Sequence, residues 1–145
     1  QHYKEFAELL KRYPELIIQA FPSSEFGGQE FAKNEDIAAF VAARGFVGPN
    51  AMLMDKVKVN GSSSSPVFKF LKNRVGQVLP IKWNFDGKVR QSAVSLHRSP
   101  TRLSRMSTRL LIQYLVRKDG TTVTRYSATQ SPLSFEDDIK AALNE

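Results

Sequence analysis

The chain has 145 residues, 41% of them hydrophobic, with 21 basic and 14 acidic side chains and a net charge of +7. That length supports one domain with a real core, and no run approaches the roughly 18 consecutive apolar residues that a membrane span needs. Cysteine is absent, which excludes disulfides, zinc knuckles, CxxC redox motifs and thiol nucleophiles within these residues.

Residues 2 to 13 place Tyr3, Phe6, Leu9, Leu10 and Tyr13 at helical spacing, which predicts a surface helix stopped before Pro14. Gln1 opens directly into that pattern, so the start of the protein is expected upstream. Leu16 to Phe21 is nearly all apolar, as in a strand covered on both faces. The loop FPSSEFGGQE follows, and Gly27 and Gly28 allow a turn sharp enough to bring the Gln29 amide back toward the strand end. Asn34 is placed to cap a second helix with Glu35 and Asp36 in its first turn and Ile37, Phe40 and Val41 on its apolar stripe. Gly45 ends it.

Ala51 to Met54 reads as another strand. In SSSSP, Ser65 is the expected cap and Pro66 the start of a third helix carrying Val67, Phe70 and Leu71. Leu79 to Phe85 is an extended segment around Trp83, the only tryptophan. Ile112 to Val116 and Val123 to Tyr126 flank Asp119-Gly120, a dipeptide that favours a tight two-residue hairpin turn. Ser134, followed by Glu136 and Asp137, opens a last helix with Phe135, Ile139, Ala142 and Leu143. This order predicts an α/β fold, a small mixed sheet with helices on both faces.

Charge is unevenly spread. Residues 86 to 111 hold Lys88, Arg90, Arg98, Arg102, Arg105 and Arg109 against Asp86 alone, five of the seven net positive charges. One segment therefore makes the chain basic, and a nucleic-acid surface over the whole molecule is not supported. His2 and His97 stand without a carboxylate or cysteine cluster, so no metal site is expected. Ser23 has no histidine or lysine placed to activate it as a nucleophile.

Several stretches, in order, resemble the glutathione peroxidase family. FPSSEFGGQE is similar to its FPCNQFGGQE loop; Asp55 to Gly61 and Pro66 to Lys72 resemble its DKVxVNG and HPLYKFLK; Ile81 to Phe85 matches its IKWNF. Val116 to Tyr126 with Ser131-Pro132-Leu133 resembles its FLVDxxGxVVxRY and SPL ending. The resemblance runs over the chain apart from residues 86–111, which read as a basic Ser/Arg-rich insertion within a single domain of residues 1–145.

The resemblance implies a thioredoxin-like fold and an antioxidant chemistry. A cysteine or selenocysteine attacks a hydroperoxide and is then reduced by glutathione or a thioredoxin-like protein, with no other cofactor. Neutral amide and indole donors surround the nucleophile and stabilise an anion without competing for its proton. The matching positions here are Gln29, Trp83 and Asn84. In the family the nucleophile lies in an NVAS(C/U)G motif at the end of a strand just before the first helix. That N-terminal strand is expected upstream, and the chain as it stands is expected to be inactive alone.

Two further departures matter. Ser23, Ser24 and Glu25 replace the loop's Cys-Asn-Gln, and Ala42 stands about where thioredoxin-dependent members keep a resolving cysteine. An external thiol such as glutathione is then the expected reductant. The short connection from Asn73 to Pro80 resembles the monomeric, phospholipid-hydroperoxide-type branch, whose open site admits bulky substrates. The compartment, cytosol or organelle, is left open for what reads as a soluble protein.

In the insertion, Leu103, Met106, Leu110 and Leu111 fall at helical spacing beside Arg102, Arg105 and Arg109. Three readings stand side by side: a basic amphipathic helix for an anionic membrane or acidic partner, a solvated loop, or sequence that is not genuinely coding. A second functional reading follows from the first of these. It is a non-catalytic thioredoxin-like module that binds an acidic partner, membrane or nucleic acid through the insertion.

Overall fold

The computed structural model describes residues 2–26, 30–78, 80–81 and 112–145. In chain order they form α1 (His2–Arg12), β1 (Ile18–Ala20), α2 (Asn34–Ala42), β2 (Ala51–Leu53), α3 (Pro66–Arg74), β3 (Gln113–Val116), β4 (Val123–Tyr126) and α4 (Glu136–Leu143). The helices and strands expected within these residues are present, the extended segment at Leu79 to Phe85 lying mostly outside them, and a 3-10 turn at Pro132–Phe135 leads into α4.

Three local expectations are corrected by side chains that find other partners. Lys33, not Asn34, occupies the N-cap of α2, because the Asn34 amide donates instead to the Asp55 carboxylate at 2.8 Å. The last helix begins after Phe135, since Pro132 is fully buried and the Ser134 hydroxyl turns back to donate to the Ser131 carbonyl. The hairpin is wider than a two-residue turn: Arg117 donates to the Thr122 carbonyl at 3.0 Å, closing a loop around the Asp119 carboxylate. That carboxylate accepts from the backbone and hydroxyl groups of both Thr121 and Thr122, which holds it well below the usual carboxylate range. Gly120 takes the left-handed position, φ +66°, that the turn requires.

The strands form two pairs. β1 runs parallel to β2, with Ile18 opposite Ala51 and Ala20 opposite Leu53. β3 runs antiparallel to β4, from Gln113 opposite Tyr126 to Val116 opposite Val123. Among the described residues no strand pairing joins one pair to the other.

Helix packing joins them instead. On α1, Tyr3 is buried with Ile37 and Val41 of α2 and Phe46, over the apolar side chains of β1 and β2. Two turns further, Leu9 is fully buried with Tyr126, Phe135 and Ile139, against Leu115 of β3. Phe6 touches both clusters. Burying a leucine as completely as Leu9 contributes about 1.5–3 kcal/mol. The other face is held by Phe68 of α3, whose ring meets Phe21 at 5.7 Å and Tyr114 at 6.4 Å. Leu115 and Tyr114 are neighbours in β3, so their opposite partners place helices on both faces of that strand.

Close to the start of α1, His2 is buried and its Nδ1 has no hydrogen-bond partner. Burial lowers its pKa, against the smaller opposing pull of the Glu5 carboxylate. The unfolded chain therefore binds the extra proton more readily, and stability falls as pH drops through the ordinary histidine value of 6.5. The melting midpoint is expected to fall between pH 7.5 and about pH 5.5, and His2→Gln is expected to flatten that slope; thermal melts across the range check it.

Candidate functional site

Gln29, Trp83 and Asn84 lie outside the described residues, as do residues 86–111, His97 and all of IKWNF after Ile81. The structure does describe both flanks of the glycine loop, Phe26 and Glu30, and the residue two positions before Trp83, Ile81. What those flanks attach to defines the candidate site.

They attach to one extended segment, residues 55–61. Before the glycines, the Pro22 carbonyl accepts from Val57 N–H at 3.0 Å. The Glu25 carboxylate accepts from Val59 N–H at 2.5 Å and Asn60 N–H at 3.1 Å. Beyond the glycines, Lys56 Nζ donates to the carbonyls of Phe31 at 2.8 Å and Ala32 at 2.5 Å. Two runs of backbone on either side of Gln29 are thus pinned to the same strip of chain.

The approach to Trp83 is pinned there too. Asn60 Oδ1 accepts from Ile81 N–H at 2.7 Å, and Asn60 Nδ2 donates to the Ile81 carbonyl at 2.9 Å. A side-chain amide here satisfies both backbone groups of a buried residue, as a neighbouring strand would. The strip itself is anchored from α3, where Lys72 Nζ donates to the Val59 carbonyl at 2.8 Å.

Phe26, Glu30, Val59 and Ile81 all face a largely apolar cavity of about 690 Å³ that extends between β1 and β3. The ends of the segments bearing the expected donors therefore open on one space. Ile18 N–H and the Ala20 carbonyl are engaged on the β2 side, so by alternation Gln19 directs its backbone groups away from β2.

Ser23 spends its hydroxyl locally, accepting from Glu25 N–H at 3.4 Å. Ala42 lies exposed at the end of α2. Among the described residues no group of three or more histidine, aspartate or glutamate side chains is arranged to hold a metal, and no helix is long and apolar enough to cross a membrane. The residues that sequence reading missed are Glu25, Lys56 and Asn60. Glu25 showed only as a departure from a motif and Asn60 only as a letter within one, because their partners lie 21 to 35 positions away.

A family model for glutathione peroxidase matches residues 1–72. The chain is 45% identical over 145 residues to glutathione peroxidase 1, mitochondrial, of Chlamydomonas reinhardtii, with 99% of this chain and 59% of that protein covered. It is 36% identical over 146 residues to glutathione peroxidase 2 of Caenorhabditis elegans, covering 98% and 72%. Against a probable phospholipid hydroperoxide glutathione peroxidase of Helianthus annuus it is 35% identical over 147 residues, covering 99% and 66%. The chain thus spans 59% to 72% of the length of these relatives. In three dimensions it resembles the crystal structure of Trgpx in apo form, with a TM-score of 0.56 at 20% identity over 99% of this chain and 71% of that one, a likeness of fold.

Proposed function

Because this chain belongs to the glutathione peroxidase family, with its thioredoxin-like α/β fold, we propose that it supplies the donor side of a peroxidase site. The reaction is reduction of hydrogen peroxide and of organic or lipid hydroperoxides by a thiol, in antioxidant defence. The observation that carries this reading is the strip at residues 55–61, which holds both flanks of Gln29 and the approach to Trp83 and Asn84 on one cavity.

The chemistry needs a chalcogen anion, and the chain contains no cysteine. The nucleophile is therefore brought in from outside residues 1–145, on a strand for which the cavity between β1 and β3 has room. Its thiolate or selenolate attacks the terminal oxygen of ROOH; the O–O bond breaks, the chalcogen takes up OH, and the leaving RO⁻ is protonated to ROH. One thiol then displaces water to form a mixed disulfide or selenosulfide. A second thiol releases the nucleophile as the reductant's disulfide. Electrons come from the thiol, so the scheme invokes no metal or prosthetic group. Gln29, Trp83 and Asn84 contribute neutral N–H donors where negative charge develops. With no resolving cysteine at Ala42, glutathione serves as reductant, and the protein acts as a monomer.

The test extends the chain at residue 1 by an apolar strand ending in cysteine and follows glutathione oxidation with hydroperoxide. Hydroperoxide-dependent turnover is expected from the cysteine form alone, with none from its serine counterpart or from the 145-residue chain. A folded cysteine form without turnover overturns the reading. That outcome would favour a non-catalytic module instead, for which the positive charge concentrated at residues 86–111 suggests an anionic membrane or acidic partner.

A further inference from the structure

The strip at residues 55–61 contains a two-step connection that the peroxidase chemistry alone does not call for. Glu25 holds the backbone of Asn60 from the loop side, and Asn60 in turn holds both backbone groups of Ile81. Between the carboxylate and Ile81 there is a single residue, so the loop and the approach to Trp83 share one support. Val59, just before it, is fixed twice more, by Glu25 at its N–H and by Lys72 at its carbonyl, which leaves Asn60 little freedom to follow Ile81 rather than lead it.

We propose that Asn60 is a positioning residue, held by Glu25, that sets the register of the segment entering Trp83 and Asn84 against the loop bearing Gln29. The consequence for turnover rests on the peroxidase reading; the geometric claim does not. Neither side chain touches the reacting atoms. Their effect is on where the donors stand, and a misplacement of about 1 Å in such a constellation costs on the order of a hundredfold in rate.

Substitution separates this from a merely structural role. Asn60→Ala removes both bonds to Ile81, while Asn60→Asp keeps the acceptor for Ile81 N–H and sets a carboxylate against the Ile81 carbonyl. Glu25→Ala frees Asn60, and Glu25→Gln retains a carbonyl acceptor for its N–H. Trp83 is the only tryptophan, so fluorescence excited at the red edge of the indole band, where the four tyrosines do not absorb, reports on it alone. Acrylamide quenching and emission maximum are measured on the chain extended by the cysteine-bearing strand, alongside circular dichroism.

At least a twofold change in the quenching constant is expected for Asn60→Ala and Asn60→Asp, an intermediate change for Glu25→Ala, and parent behaviour for Glu25→Gln. In the strand-extended form, kcat for hydroperoxide is expected to fall at least tenfold for Asn60→Ala with the KM for glutathione held within twofold. Unchanged fluorescence in a folded Asn60→Ala variant overturns the proposal, and if that variant does not fold, Asn60→Asp decides on the same readout. Fluorescence that shifts as expected while no form turns over hydroperoxide upholds the positioning role and counts against the peroxidase reading.

Discussion

Replacing Gln29 by alanine in the cysteine-bearing, strand-extended chain is expected to lower kcat/KM for hydroperoxide by about a hundredfold, and Trp83→Phe by at least as much. One preorganised donor aimed at developing charge is worth about 10²–10³ in rate, or about 2.7–4 kcal/mol. Phenylalanine keeps most of the ring but removes the N–H, which separates the donor from the bulk. Gln29→Glu is expected to be worse than Gln29→Ala, since a carboxylate beside a chalcogen anion opposes its formation. The losses should not add, because three donors that surround one anion act as a unit. A coupled glutathione-oxidation assay measures all of these at one pH. A loss of less than about threefold for Gln29→Ala would remove that residue from the site, against the size expected of a donor.

The second large effect is on stability. Filling the cavity between β1 and β3 with an apolar strand is expected to raise the melting midpoint by about 10 °C and to sharpen the transition. Five or six buried apolar side chains contribute about 1.5–3 kcal/mol each. Ordering the same residues costs about 1.5 kcal/mol apiece. The difference runs from zero to about 9 kcal/mol, with a midpoint of about 4 kcal/mol, and in a chain of this size each is worth roughly 2–4 °C. The added strand also meets the backbone groups that Gln19 directs away from β2. Without it, an apolar cavity beside strand edges favours self-association, so the 145-residue chain is expected to elute as a broad, larger species. Calorimetry and size-exclusion chromatography of the two forms make the comparison. A sharp, monomeric transition of the unextended chain at the same midpoint would show that nothing is missing from the cavity.

Helices were legible because their apolar positions repeat. Tyr3, Phe6 and Leu9 lie on the stripe that α1 buries, and Ile37 and Val41 on that of α2. The strands showed as short apolar runs and the hairpin by its Asp119-Gly120 dipeptide, which marked its existence though not its width. Caps and turns were less legible because they are decided by competition. Asn34 had a distant carboxylate to choose over its own helix, and Asp119 had two threonines to gather. For the proposed site, the motifs name Gln29, Trp83 and Asn84, while the described segments flanking those positions are held by Glu25, Lys56 and Asn60. No local pattern announces a bond from Asn60 to Ile81, because only the folded path makes those residues neighbours.

Among the described residues the two strand pairs are joined by packing on α1 and by the ring of Phe68, with no shared ladder. The chain between Ile81 and Ile112 can be lengthened at little cost, since loop-closure entropy grows only logarithmically with length. Evolution can try out new sequence in such a place at small thermodynamic risk, and residues 86–111 fall within it.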